Sequence, residues 1–136
     1  MPDLAAALAW ARQCDPQGPV LVWGSSYSPA LVFLLAAGSG DAVSAALAFS
    51  PGAFLSGVSV RGAAGRLTCP VFVTSDVGEE AEAAALLAAT RGRPRRQFRP
   101  AAGAHGSSIL RADRNPRGAA AAWVAVGAFL DEVAPG

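Results

Sequence analysis

Ser26 and His105 are the two side chains in this sequence that could act together as a nucleophile and a base. Ser26 lies in the segment Gly24-Ser25-Ser26-Tyr27-Ser28, and His105 is the only histidine of the chain. A serine hydroxyl is a poor nucleophile until a base removes its proton, and the base needs a carboxylate to fix its tautomer. Glu79 and Asp76 lie between the two residues along the chain and are the candidate acids. These residue types predict acyl transfer by an activated serine.

The residues around Ser26 have the pattern of a strand, a sharp turn and a helix. Val20 and Trp23 bound a short apolar run, which predicts a buried strand, and Pro29 suits the first turn of a helix. This is the setting that the nucleophile pattern G-x-S-x-G requires, here with Ser28 in place of the last glycine. The backbone N–H of Tyr27, the residue after the nucleophile, is then expected to be an oxyanion donor. A phosphate-binding turn and a tight turn without chemistry are the alternatives.

The composition is that of one well-packed domain over residues 1–136. Hydrophobic residues make up 52% of the chain and charged residues 15%, and the net charge is +1. Such a small net charge favours neither nucleic acid nor an anionic membrane, and we expect neither as a partner. The arginines between positions 91 and 99 are interpreted as a solvated charge run. No signal peptide is predicted, so a cytoplasmic location is the default expectation.

The cysteine count predicts no metal site. Cys14 and Cys69 have no ligand-like spacing to His105, so each is expected to be a free thiol. Neither a metal nor a cofactor is expected.

Strands alternate with helices along the whole chain. Strands are predicted at residues 20–23, 45–49, 71–74 and 95–99. Helices are predicted at 3–14, where Asp3 would be the cap, and at 29–37, around 62–67, at 79–90 and at 118–133. This order predicts an α/β fold of three layers, α/β/α, with a four-stranded parallel sheet. The carboxyl ends of the strands, where chemistry collects in such sheets, would bring the candidate residues together.

The chain resembles the C-terminal half of an α/β-hydrolase of the dienelactone-hydrolase-like or small serine-esterase type. The resemblance rests on the segment around Ser26, on residues 69–75 (CPVFVTS) and on residues 104–107 (AHGS). It implies that Ser26 attacks a small carboxylic ester and that His105 is the base. In this superfamily the acid commonly follows the proline that opens its strand by about nine residues, which from Pro70 leads to Glu79. Asp76, closer to the strand end, stays open as the alternative acid.

The resemblance also implies that something is missing. In the hydrolase fold the nucleophile strand lies in the middle of the sheet, and the loop after an earlier strand supplies a second oxyanion donor. We therefore expect a partial hydrolase fold that lacks the N-terminal strands and is weakly active alone. The strand at 20–23 would be an open edge through which the chain could self-associate. The alternative is a non-catalytic fragment or binding module with the same half-fold.

Overall fold

Four parallel strands form one sheet in a computed structural model that describes residues 1–135. The sheet order is β1-β2-β3-β4, and each neighbouring pair is parallel. The strands are β1 Leu21–Ser25, β2 Ala45–Phe49, β3 Val71–Thr74 and β4 Arg95–Phe98. With helices on both faces, this is the predicted three-layer α/β/α fold with a four-stranded parallel sheet.

The helices divide between the two faces of the sheet. They are α1 Pro2–Cys14, α2 Ser28–Ser39, α3 Val60–Ala64, α4 Glu80–Ala89 and α5 Ala119–Val133. Because consecutive strands are neighbours, α2, α3 and α4 connect them across the same face, and α1 packs on that face as well. On the opposite face, within residues 1–135, α5 is the α-helix that packs against the sheet, and Ile109 and Leu110 complete that core. No helix within residues 1–135 combines the length and the apolar character needed to cross a membrane.

β1, β2 and β3 each supply side chains to both cores, because successive residues point to opposite faces, whereas β4 supplies only Phe98, to the core on the α5 face. In β3, Val71 and Val73 pack with α2, α3 and α4, whereas Phe72 packs with Phe129 of α5. All four residues of β3 and all five of β2 are buried. This continuous burial explains why the central strands are apolar runs without a polar face.

Some element boundaries differ from the prediction. Asp3 lies in the first turn of α1, and Met1 is the N-cap. β1 extends past its apolar run to include Gly24 and Ser25, because Ser25 pairs with Phe49 of β2. Residues 106–110, for which neither a helix nor a strand was predicted, form a 3-10 turn after His105.

β1 lies at one edge of the sheet. Within residues 1–135, no backbone hydrogen bond joins α1 to β1. Leu4 and Leu8 of α1 pack instead beside Val20 and Val22, on one face of the strand. The outer backbone groups of β1 are therefore not paired by the first helix.

An uncharged edge strand of this kind is a template for pairing with another chain, so we expect the protein to self-associate with rising concentration. Trp23 of β1 is 42% exposed, and Trp23→Lys should shift the protein toward monomer because a charged side chain on an edge strand opposes pairing. Sedimentation velocity over a concentration series measures this shift. Trp10→Lys is the matched control, since Trp10 lies on α1 and is 67% exposed. A wild-type chain that stays monomeric throughout, or equal effects of both variants, would contradict the prediction.

Candidate active site

Ser26 occupies the tight turn between β1 and α2. Its φ of 62° lies in the left-handed region, which non-glycine residues adopt rarely and which costs backbone strain. Its N–H donates to the carbonyl of Phe49 at 2.8 Å, so β2 holds the turn in place. This backbone reverses the chain sharply at the carboxyl end of the sheet.

The two small residues that flank Ser26 have different tasks. A Cβ at Gly24 would lie 2.6 Å from the backbone nitrogen of Pro29, so only glycine lets α2 start this close to β1. Ser28 stabilises the turn through hydrogen bonds of its hydroxyl rather than by leaving space for the helix. Its Oγ accepts from the N–H of Ser25 at 2.8 Å and donates to the Ser25 carbonyl at 3.0 Å. Serine in place of the pattern's last glycine thus ties the turn together.

The loop that carries His105 is bound to this turn. Gly106 has a φ of 63°, and a Cβ there would lie 2.6 Å from the Oγ of Ser25. The N–H of Ser107 donates to the same Oγ at 2.8 Å. His105 is therefore positioned by contacts on its C-terminal side, 79 residues away from Ser26 in sequence.

Ser26, His105 and Glu79 form one hydrogen-bonded chain. The Oγ of Ser26 lies 2.7 Å from Nε2 of His105, and Nδ1 of the same ring lies 2.6 Å from Oε1 of Glu79. Both distances are within the range for a nucleophile, a base and an orienting group in contact. The three residues come from the ends of β1, β3 and β4, the edge of a parallel sheet where sites form.

The second carboxylate oxygen of Glu79 has its own donors. Its Oε2 accepts from the hydroxyl of Ser50 at 2.6 Å and from the N–H of Asp76 at 3.3 Å. Partial burial on its own raises the pKa of Glu79, but the hydrogen bonds from Ser50, His105 and Asp76, together with the charge of a protonated His105, outweigh it. The pKa of Glu79 therefore lies below its ordinary value.

This network assigns the histidine tautomer. An ionised carboxylate can only accept, so Nδ1 of His105 must carry the proton that it donates to Glu79. In a neutral imidazole the other nitrogen is then an acceptor, so Nε2 accepts a hydrogen bond from the hydroxyl of Ser26. This is the tautomer that a general base needs.

Asp76, the alternative acid, has a different role in the structure. It is the N-cap of the 3-10 turn Val77–Glu79, where its carboxylate accepts from the N–H of Val77 at 2.8 Å. Its side chain also accepts from the backbone N–H of Glu79, and the Glu79 carboxylate accepts in return from the N–H of Asp76, which makes a reciprocal capping box. The hydrogen bond to the ring is made by Glu79, and Asp76 fixes the turn that presents Glu79.

The backbone N–H groups at the turn differ in availability. Those of Ser25 and Ser26 already donate to Ser28 and Phe49. Tyr27 is the N-cap of α2, at the helix end whose N–H groups have no intrahelical acceptor. The N–H of Tyr27, predicted to be an oxyanion donor, therefore belongs to the groups at this turn that no intrahelical carbonyl binds.

The surroundings of the site are open. The side chains of His105 and Glu79 are 49% and 35% exposed. Of the aromatic residues near the strand ends, Phe49 is fully buried and stacks on Trp23 with ring centroids 4.5 Å apart, and Phe54 is half exposed. Within residues 1–135, no group of three or more histidine, cysteine or acidic side chains is placed to hold a metal ion.

Sequence reasoning missed Ser50 as a site residue. It is 1% exposed and has a φ of 52°, the second non-glycine residue with a positive φ. The segment Ser50-Pro51-Gly52 was placed with the other loops at the carboxyl ends of the strands, but no role was predicted for Ser50. A polar residue at the carboxyl end of a central strand, directly before a proline, was the available signal.

Comparisons with protein-family models, with curated proteins and with solved structures gave no match for this chain.

Proposed function

We propose that this protein is a serine hydrolase that acts on small carboxylic esters. The observation that carries the proposal is the unbroken chain of hydrogen bonds from Ser26 through both ring nitrogens of His105 to Glu79. The ring is oriented as this chemistry requires, with Nδ1 toward the carboxylate of Glu79 and Nε2 toward the hydroxyl of Ser26. The strained backbone at Ser26 is a second support, because strain of this kind concentrates at functional residues.

The reaction would proceed in two halves. The Oγ of Ser26 attacks the ester carbonyl carbon while its proton passes to Nε2 of His105. The tetrahedral intermediate collapses, the bond to the alkoxide breaks, and His105 returns the proton to the leaving alcohol. Water then attacks the acyl-serine with the same base, and the carboxylic acid leaves as Ser26 regains its proton. Glu79 stays ionised and stabilises the imidazolium in both halves.

The open site indicates slow turnover. In this proposal the N–H of Tyr27, the N-cap of α2, is the expected oxyanion donor, and an enzyme that lacks one of its oxyanion donors is slower by about 10²–10³-fold. We therefore expect weak hydrolysis of activated esters by this chain alone.

A fluorophosphonate probe tests the proposal without requiring fast turnover. We expect Ser26 to displace fluoride from phosphorus and to become covalently phosphonylated, because the same base activates it for this attack. Intact-mass and peptide mass spectrometry locate the adduct. Ser26→Ala should remove it. Ser39→Ala is the matched control, since Ser39 ends α2 at the far end of the helix from the nucleophile, and it should label like wild type.

A non-catalytic binding module is the second candidate function. The exposure of His105 favours it, because closing an active site to water strengthens the electrostatic interactions on which catalysis depends. It predicts a folded protein in which the probe leaves Ser26 unmodified.

A further inference from the structure

We infer that Ser50 is a positioning residue that holds Glu79 and the His105 loop in register, an inference that rests on the proposed hydrolase function. Its hydroxyl links the carboxylate that binds the ring to the loop that carries it: it donates to the carboxylate of Glu79 and accepts from the N–H of Gly106, the residue after His105. The hydrogen bonds of the Ser50 hydroxyl go to Glu79 and Gly106 and not to Ser26.

The hydroxyl of Ser50 has no freedom in these roles. A serine hydroxyl has one proton and two acceptor lone pairs. The N–H of Gly106, 2.8 Å away, can only donate, so the Ser50 oxygen accepts there and its proton is left for Oε2 of Glu79 at 2.6 Å. The two bonds are therefore complementary, and both are fixed in direction.

Burial makes this link effective. Ser50 is 1% exposed, so water does not compete for its hydroxyl as it does around the ring of His105. A hydrogen bond between a buried hydroxyl and a carboxylate is among the stronger ones in proteins. It selects one rotation of the Glu79 carboxylate, the one that turns Oε1 toward Nδ1 of His105.

The backbone of Ser50 indicates the same role. Its φ of 52° is unfavourable for serine, yet its N–H is bound to the Thr74 carbonyl at 2.8 Å, which holds the residue in this conformation. Thr74 is the last residue of β3, only two positions before Asp76. The strained backbone of Ser50, directly after β2, thus directs the Ser50 hydroxyl toward Glu79 and the loop that carries His105.

Ser50→Ala tests the inference through the state of the ring. Because His105 is the only histidine, two-bond proton–nitrogen NMR of the imidazole reports this ring without assignment. We expect wild type to show the tautomer protonated at Nδ1, and Ser50→Ala to show a mixture with Nε2 protonation. We further expect kcat for p-nitrophenyl acetate to fall by about 10- to 100-fold with little change in KM, as for loss of a hydrogen bond to a charged group.

Two further variants keep the test decisive. Ser75→Ala is the matched control: Ser75 is also 1% exposed and lies next to the site, but its hydroxyl donates to the Asp76 carbonyl, so its removal should leave the ring signals and kcat unchanged. Ser50→Gly removes the same hydroxyl in a residue that tolerates a φ of 52°, and it replaces Ser50→Ala if circular dichroism shows that the alanine variant does not fold.

The failures of the two proposals look different. Wild-type ring signals in a folded Ser50→Ala or Ser50→Gly protein would overturn the positioning role, whatever the turnover. A wild-type protein that neither hydrolyses esters nor reacts with fluorophosphonate would overturn the hydrolase function, while the tautomer comparison would still decide the role of Ser50.

Discussion

Ser26→Ala and His105→Ala should each reduce p-nitrophenyl acetate turnover by on the order of 10⁴-fold, or to the uncatalysed background if that is reached first. Either substitution breaks the chain of hydrogen bonds at its first link, the 2.7 Å contact between Oγ and Nε2. Because the members of such a chain act as a unit, the double variant should be scarcely slower than either single one. Initial rates at saturating substrate, normalised to protein concentration, measure all three.

The stability of these variants separates chemistry from folding. The side chain of His105 is half exposed, so its truncation should change the thermal midpoint little. Ser39→Ala should match wild type in both rate and midpoint. Losses that add in the double variant would count against a shared mechanism, and equal turnover in Ser26→Ala would point to a nucleophile elsewhere.

Glu79→Gln should cost far more activity than Asp76→Asn, by on the order of 10⁴-fold against less than about tenfold. Glutamine can turn its amide N–H toward Nδ1 and so favour the wrong tautomer, which disables the base. Asparagine at position 76 remains a good N-cap and can still accept from the N–H of Val77, so the turn that presents Glu79 should survive. Turnover of the two variants, measured side by side, is the readout.

The pH dependence of stability provides an independent check on Glu79. Because its folded-state pKa is lowered, its carboxylate contributes stability that is fully present above the ordinary glutamate pKa. That contribution is lost as the pH falls through the lowered folded-state value. Glu79→Gln should remove this part of the acid destabilisation, which is measured by thermal unfolding at a series of acidic pH values.

The activity comparison decides between the two candidate acids. A larger activity loss in Asp76→Asn than in Glu79→Gln would move the acid to Asp76.

The central strands were the most predictable part of the fold. The predicted bounds of β2 and β3 match Ala45–Phe49 and Val71–Thr74, because strands buried on both faces are apolar runs that stand out from the turns around them. β1 was predicted too short, since Gly24 and Ser25 have no strand propensity and are extended only because β2 pairs with them.

The candidate site was predictable in its chemistry but not in its support. Residue type and chain order single out Ser26 and His105, and the resemblance to the hydrolases implies a spacing that leads to Glu79. The contacts of Ser28 and Ser50 could not be predicted in the same way. Ser50 meets Glu79 and Gly106 from 29 and 56 residues away, and a serine after a strand is otherwise an ordinary turn residue.

The sheet order has a consequence for how the site depends on folding. Ser26 follows β1 and His105 follows β4, the two outermost strands, with Glu79 following β3 between them. No two adjacent elements hold the whole site. A molecule in which either edge strand has separated from the sheet can therefore keep most of its secondary structure and still be unreactive. Sheet margins open at lower free energy than the centre. Reactivity at Ser26 therefore reports the fraction of molecules that are intact from one side to the other, and it should fade on warming before circular dichroism registers any melting.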